Sequence, residues 1–194
     1  MNDTPGKNKF RIGMVNAVVP YSHINALTLC GNHRHFEKLL HKKHKNAYIT
    51  SCELNKAVFE NAASSIDKRK LTFDMGNHVK KGRNEIWNQS IEEYLSNTTK
   101  RFNLIWIDFC GIVTPNVFNL SLENKFEDGS GIFAISLVAN RYRKDISERL
   151  NGRDIRTYVK DEIYKKLPSE FEYDQEMSGV YRDSAAMMNV VFRK

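Results

Sequence analysis

Two acidic residues stand at the ends of strand-like segments, where a carboxylate can do chemistry. Asp108 directly follows the apolar run 104–107. Burying an unpaired carboxylate is costly, so this acid must face an open cleft, unless it simply caps the following turn. Glu53 follows segment 47–52 and lies about 20 positions after Gly31, the spacing at which an acid accepts hydrogen bonds from ribose hydroxyls in nucleotide-binding sheets. Its alternative role is to stabilise the start of the next helix.

Short apolar segments of strand length alternate with longer helical patterns along the chain, which is typical of βαβ units and a mostly parallel sheet. We therefore predict one doubly wound α/β domain over residues 1–194, with helices on both faces and an N-terminal extension over 1–23. Its mostly parallel, seven-stranded sheet ends in a reversed C-terminal strand. The predicted strands are 26–30, 47–52, 85–88, 102–108, 131–138, 171–181 and 186–192. A loop is predicted over 71–83, and helices are predicted around 36–40, 57–66, 91–95, 117–122 and 155–167.

The carboxyl ends of these strands are the predicted ligand-binding edge. In an open α/β sheet, ligands bind beyond the carboxyl ends of the strands, where the strand order reverses. Gly31 and Asn32 favour the unusual backbone angles of a sharp strand-to-helix turn. The predicted site comprises the residues that follow the first four strands: Cys30, Gly31, Asn32, Glu53, Leu54, Gln89, Ser90, Asp108 and Phe109.

The charge of the chain favours a polyanionic partner. The formal net charge is +7 and the pI is near 9.3, and a basic surface attracts phosphates and releases counterions on contact. Lys42 and Lys43 belong to a basic helix, and Arg141 and Arg143 follow the fifth strand. These four residues are predicted to contact nucleic acid, with an ordinary solvated surface as the alternative.

Cysteine and histidine usage argues against disulfides and metals. Three cysteines and no apolar signal segment predict reduced thiols and a cytoplasmic protein, and no apolar run is long enough to span a membrane. Four histidines, His33, His35, His41 and His44, are not accompanied by a Cys-x-x-Cys pair, so no metal site is expected. Cys110 is interpreted as a small buried thiol, with a nucleophile as the alternative.

The series of strand ends resembles the class I, Rossmann-like S-adenosylmethionine-dependent methyltransferases over about residues 24–192. Segment 26–32, Ala-Leu-Thr-Leu-Cys-Gly-Asn, is similar to the first motif of that family, although it has one glycine where two or three are usual. Segment 51–55, Ser-Cys-Glu-Leu-Asn, is similar to the second motif, whose acid holds the ribose of the cofactor. Segment 86–95 resembles the stretch that flanks the adenine. Segment 102–111, which includes Asp-Phe-Cys-Gly, resembles the fourth motif at the methyl-transfer site.

The resemblance implies S-adenosylmethionine as cofactor and methyl transfer to a nucleophile oriented by Asp108. Asp-Phe-Cys-Gly is nearer to the Asp-Pro-aromatic-Gly of some transfer-RNA guanine methyltransferases than to the Asp-Pro-Pro-aromatic form, so RNA is a more natural substrate than DNA. One alternative is a non-catalytic nucleic-acid-binding or scaffold protein that kept this fold, which the single Gly31 permits. Another is a dehydrogenase, which the absence of Gly-x-Gly-x-x-Gly disfavours.

Overall fold

The computed structural model describes residues 4–31, 33–66, 76–109, 111, 113–142, 144–182 and 185–194. Its helices are α1 (Pro5–Ala17), α2 (His35–Lys43), α3 (Lys56–Ile66), α4 (Ile91–Asn97), a 3₁₀ turn (Pro115–Phe118), α5 (Lys144–Leu150) and α6 (Ile155–Tyr164). Its strands are β1 (Asn25–Leu29), β2 (Tyr48–Cys52), β3 (His78–Lys81), β4 (Asn84–Trp87), β5 (Leu104–Asp108), β6 (Ile132–Val138), β7 (Glu172–Tyr173), β8 (Gly179–Arg182) and β9 (Ala186–Arg193). No helix in these ranges is both long and apolar enough to cross a membrane.

The strands form one mixed sheet in the order β3-β4-β2-β1-β5-β6-β9-β7, and β8 pairs with β9 beside β7. Strands β4, β2, β1, β5 and β6 are parallel, whereas β3, β7, β8 and β9 pair antiparallel with their neighbours. From β1 the chain moves outward through β2 to β4 and then returns to the other side of β1 to form β5. The strand order therefore reverses between β1 and β5, which is where an open α/β sheet binds its ligand.

The doubly wound fold predicted from the sequence is confirmed, including the reversed C-terminal strand β9. The strand count of seven was wrong, because the described residues already form a sheet of nine strands. The predicted loop 71–83 contains the edge strand β3, which forms a hairpin with β4, while residues 71–75 lie outside the described ranges. Predicted strand 171–181 is divided into β7 and β8 because Asp174 forms a turn, in which its Oδ1 accepts a hydrogen bond from the Met177 amide. The helix predicted over 117–122 is the 3₁₀ turn over 115–118.

Apolar residues cover both faces of the sheet, because successive residues of a buried strand point to opposite sides. In β5, Leu104 and Trp106 pack on the face covered by α1 and α2, and Ile105 and Ile107 pack on the opposite face. Residues 5–17 of the predicted N-terminal extension form α1. Its Met14 is fully buried in the same cluster as Trp106. The N-terminal helix is therefore an integral layer of the domain.

A buried chain of hydrogen bonds joins the central strands. The Trp106 indole Nε1 donates to Ser136 Oγ at 3.1 Å, and Ser136 Oγ donates to Asn189 Oδ1 at 2.7 Å. Ser136 and Asn189 are opposite each other across β6 and β9. All three polar groups lie in the apolar interior, where a donor without an acceptor costs free energy. These two hydrogen bonds therefore fix Trp106 relative to the reversed strand β9.

We expect Ser136→Ala to lower the free energy of unfolding by about 1–3 kcal/mol. The Trp106 indole N–H loses the acceptor that Ser136 provides, and Asn189 Oδ1 loses the donor. Urea denaturation followed by circular dichroism measures this change. Ser169→Ala, at an exposed position, is the matched control and should change stability by less than about 0.5 kcal/mol. Equal stability of the two variants would contradict the energetic importance of the chain.

Candidate functional site

A cavity of about 450 Å³ opens at the carboxyl ends of β1, β2, β4 and β5, where the strand order reverses. This volume is in the range of small-molecule and cofactor sites. Of the nine residues predicted to bind the cofactor, Asn32 lies outside the described residues. The other eight all line this cavity: Cys30, Gly31, Glu53, Leu54, Gln89, Ser90, Asp108 and Phe109. The structure therefore brings the sequence-predicted residues into one place.

The turn after β1 has two residues in the left-handed backbone region. Gly31 has φ +55°, and a Cβ added there would meet nothing within 4 Å, so glycine is favoured by conformation and leaves open space beside the backbone. Arg34 has φ 51°, which is unfavourable for a long side chain. Its buried guanidinium compensates, because Nη2 donates to Asn84 Oδ1 at 2.8 Å. A contact to β4 thus holds the turn that follows β1.

Glu37, one helical turn after Arg34, is a buried acid that sequence reasoning missed. It lines the cavity, and Ser51 Oγ donates to its Oε1 at 3.4 Å. Burial raises the pKa of Glu37 to about 7, although the nearby guanidinium groups of Arg34 and Arg11 act to lower it. In the sequence, Glu37 is a single acid on a basic helix, and no sequence pattern distinguishes it from an exposed surface acid. Near neutral pH its carboxyl group is therefore divided between charged and neutral forms.

Two of the predicted cofactor-binding side chains also stabilise their own backbone. Glu53 Oε1 accepts a hydrogen bond from the Asn55 amide at 2.9 Å, before α3 begins. Ser90 is the N-cap of α4, and its Oγ accepts from the Glu93 amide at 3.1 Å. The Glu53 bond is to a residue that precedes α3, so the helix-start role weighed for Glu53 falls to Asn55, whose Oδ1 accepts from the Val58 amide at 3.2 Å. Neither bond prevents ligand binding, since a carboxylate accepts several hydrogen bonds and a hydroxyl still has a donor. The cavity wall is thus preorganised at both positions.

Asp108 ends β5 at the cavity, and its charge is compensated by a residue from the far N-terminal end of the chain. Lys7 Nζ of α1 lies 2.5 Å from Asp108 Oδ2, and the two side chains are only 8% and 12% exposed. The expectation that an open cleft alone makes this acid tolerable was wrong, because an ion pair does so. Lys7 was missed because nothing in the sequence marks a lysine of the N-terminal extension as a partner of a residue about a hundred positions later.

The residues predicted to contact nucleic acid do not form one surface. Lys42 and Lys43 are exposed in the last turn of α2, toward the amino ends of the strands. Arg141 is exposed beyond the carboxyl end of β6, and Arg143 lies outside the described residues. Arg141 does not line the cavity. Lys42 and Lys43 therefore lie at the opposite end of the parallel strands from Arg141.

The cysteines and histidines of the described ranges offer no second chemistry. Burial raises the pKa of the Cys30 thiol, so it stays protonated and is a poor nucleophile although it lines the cavity. Cys110 is outside the described residues. His41 Nε2 lies 3.0 Å from Asn84 Oδ1. Within the described part of the chain, no group of three or more His, Cys, Asp or Glu side chains is arranged to hold a metal ion.

The strand order, the reversed β9 and the cavity at the switch point define the class I, Rossmann-like methyltransferase fold. Solved structures of methyltransferases superpose on essentially the whole chain. The N-methyltransferase NodS of Bradyrhizobium japonicum WM9, solved with S-adenosyl-L-homocysteine, has a TM-score of 0.60 and 13% identity over 100% of this chain and 89% of its own. The ribosomal protein L11 methylase of Lactobacillus delbrueckii subsp. bulgaricus has a TM-score of 0.60 and 9% identity over 98% and 79%.

A further similar structure, described as an rRNA methylase of Clostridium thermocellum, has a TM-score of 0.60 and 8% identity over 99% of this chain and 97% of its own. No protein-family model matches the sequence, and no curated protein matches it. At these identities the structural similarity shows the fold. The activity and the substrate have to be argued from the site itself.

The buried Glu37 predicts a specific pH dependence of stability. Its pKa in the folded chain, about 7, is above its ordinary value of 4.5, so the folded chain binds this proton more tightly than the unfolded chain. The resulting stabilisation is fully present below about pH 4.5 and is lost as the pH rises through about 7. The difference corresponds to roughly 3 kcal/mol. We expect Glu37→Gln to remove this component, which urea unfolding at a series of pH values measures, and an unchanged pH profile would contradict it.

Proposed function

We propose that this protein is an S-adenosylmethionine-dependent methyltransferase that acts on a nucleic acid, RNA rather than DNA. The observation that carries the proposal is the cavity at the switch point of a class I methyltransferase sheet, lined by the residues that follow four parallel strands. S-adenosylmethionine has a nucleoside and a charged amino acid group, so a binding site needs a polar acceptor for the ribose and an open turn beside β1. Glu53 and Gly31 provide these two features.

The residues of the cavity suggest how the cofactor would be held. Glu53 accepts hydrogen bonds from the ribose hydroxyls, and Leu54, Gln89 and Ser90 border the adenine. The Gly31 turn lets the backbone approach the amino acid group. When bound, S-adenosylmethionine supplies an activated methyl group on a sulfonium, so the protein mainly has to bring the substrate close and orient it.

Asp108 orients the substrate nucleophile in this proposal. A carboxylate at the end of the central strand can accept a hydrogen bond from an amine or hydroxyl, which turns a lone pair of that group toward the methyl group. Lys7 offsets the desolvation cost of the Asp108 carboxylate, since an unpaired carboxylate with only 12% of its side chain exposed would be strongly destabilised. Lys7 is therefore a positioning residue, and α1 is the element that brings it to the site.

A nucleic-acid substrate is supported by charge. The net charge of +7 attracts the phosphates of a nucleic acid. Exposed Arg141, beyond β6, adds a cation at the carboxyl ends of the strands, where the cavity opens. Two similar structures, a ribosomal protein methylase and a protein described as an rRNA methylase, illustrate that this fold serves both kinds of substrate. Incubation with labelled S-adenosylmethionine and either total RNA or ribosomal protein distinguishes them.

The alternative function is a nucleic-acid-binding scaffold without activity. It is favoured by the turn after β1, where the buried side chains of Arg34 and Glu37 line the same cavity as the single Gly31. A scaffold predicts no binding of S-adenosylhomocysteine. Isothermal titration with S-adenosylhomocysteine therefore separates the two functions, because the methyltransferase proposal requires one site per chain.

Glu53→Ala is expected to weaken S-adenosylhomocysteine binding by roughly 1.5–3 kcal/mol, or about 10- to 150-fold, because it removes charge-assisted hydrogen bonds to the ribose. Isothermal titration calorimetry measures the change. Glu60→Ala, on the exposed surface of α3, is the matched control and should bind like the wild type. Unchanged affinity in Glu53→Ala would show that the ribose does not bind at the end of β2.

Asp108→Asn is expected to lower methyl transfer to RNA by about 10²-fold or more, since the amide keeps the shape of the carboxylate but loses its charge and part of its acceptor capacity. The variant should also be less stable, because the buried ion pair with Lys7 is lost. Turnover is therefore measured well below its melting temperature. Lys7→Gln breaks the same ion pair but keeps the carboxylate, so it should retain more activity. Equal losses in both variants would contradict a direct role for Asp108.

A further inference from the structure

Basic residues from two separate segments meet at the amino ends of β2 and β4, at the edge of the sheet opposite the cavity. We call this the amino-edge surface. It consists of six residues that are all exposed: Lys42, Lys43, Lys45, Tyr48, Lys80 and Arg83. The three first-named lysines come from the last turn of α2 and the link into β2, Tyr48 is the first residue of β2, and the last two come from the β3–β4 hairpin. None of the six lines the cavity.

The two segments are joined by direct contacts of Arg83. Its Nη1 donates to Asn46 Oδ1 at 2.6 Å and to the Lys45 carbonyl at 3.3 Å. Its guanidinium lies 5.3 Å from the centre of the Tyr48 ring, the geometry of a cation–π contact. The Tyr48 ring is nevertheless exposed, with 53% of the residue accessible. An aromatic ring and a cation are thus held in place at the surface before any ligand arrives.

The positive charge of this surface is not offset by acids of its own segments. Residues 38–48 and 76–84 contain no aspartate or glutamate. Glu85 comes next on β4, but it is buried, forms an ion pair with Lys100 and lies 2.9 Å from His78 Nε2. Although burial opposes it, the hydrogen bond and charge of Lys100 hold the pKa of Glu85 below its usual value. Its negative charge is therefore compensated within that cluster.

We propose that the amino-edge surface binds the backbone of a single-stranded nucleic acid, with the lysines on phosphates and a base stacked on Tyr48. Cations at the end of a helix are often explained by the helix dipole, which accounts for Lys42 and Lys43 alone. It does not account for Arg83, Lys80 and an exposed, fixed aromatic ring. A positively charged groove combined with an aromatic platform is how proteins bind single strands without reading their sequence. An anionic membrane would gain nothing from the stacking geometry.

This surface lies on the far side of α2 from the cavity. The helix has nine residues and begins at the cavity wall with His35, so its last residue, Lys43, is about 12 Å away along the helix axis. A strand that reached both places would have to run along the domain over several nucleotides. The inference rests on the proposed function only for the class of partner, because backbone binding at this surface needs neither the cofactor nor Asp108.

The test uses a fluorescent oligouridine and the triple variant Lys42→Gln, Lys43→Gln and Lys45→Gln. The matched control removes three exposed cations elsewhere, with Arg149→Gln, Arg156→Gln and Lys166→Gln. Each lost phosphate contact lowers the slope of log affinity against log salt by about 0.7 for a single strand, so we expect a decrease of about 2 in the triple variant and a smaller one in the control. Equal slopes in the two variants would overturn the proposal.

Stacking is tested separately with Tyr48→Ala and Tyr48→Phe. Loss of one base–aromatic stack is worth about 1–3 kcal/mol, so Tyr48→Ala should bind the oligouridine roughly 5- to 150-fold more weakly, while Tyr48→Phe should bind like the wild type. Equal binding by all three proteins would overturn the stacking contact.

Sedimentation with phosphatidylserine vesicles tests a membrane as the partner. Vesicle binding that depends on the three lysines, without oligouridine binding, would assign the surface to a membrane. RNA binding that persists in a protein without methyl transfer would refute only the proposed function.

Discussion

The site depends on one electrostatic constraint: a carboxylate at the end of the central strand has to be compensated. Asp108 follows four apolar residues of β5 and is nearly buried, and the ammonium group of Lys7 compensates its charge. That ion pair ties α1 to the carboxyl edge of the sheet. In turn, Phe10 of α1 packs edge-on against Trp106, whose indole is linked through Ser136 to the reversed strand. Asp108, the N-terminal helix and the C-terminal strand are therefore parts of one packed unit.

A second constraint acts at the turn after β1. A left-handed residue other than glycine needs compensation, and Arg34 obtains it by burying its guanidinium against Asn84 of β4. The buried Arg34 lies close enough to Glu37 to act on its pKa. The turn that a class I methyltransferase usually builds from several glycines thus contains here one glycine and a buried arginine, with Glu37 on the helix that follows. This substitution leaves the cavity in place while giving its wall a titratable group.

The strands and their ends were predictable because the pattern of apolar segments follows from burial on both faces of the sheet. Segments 47–52 and 102–108 contain β2 and β5, and the polar residues after them meet at one cavity, since the carboxyl ends of parallel strands share an edge. Lys7 and Glu37 could not be predicted, because their burial depends on tertiary packing and not on local periodicity. Strand β3 was missed for a similar reason: a half-exposed edge strand with one buried residue has no apolar run.

The central claim is that the cavity, which α1 helps to line, binds the cofactor. Amide hydrogen exchange of the protein with and without S-adenosylhomocysteine tests it directly, because exchange reports local opening segment by segment. The account predicts slower exchange in the segments that line the cavity from four elements, namely 29–37, 53–58, 89–92 and 5–17, with no change in the hairpin 78–84. Protection of the first three segments without α1 would contradict the role assigned to the N-terminal helix. No protection in any of them would contradict the cofactor site itself.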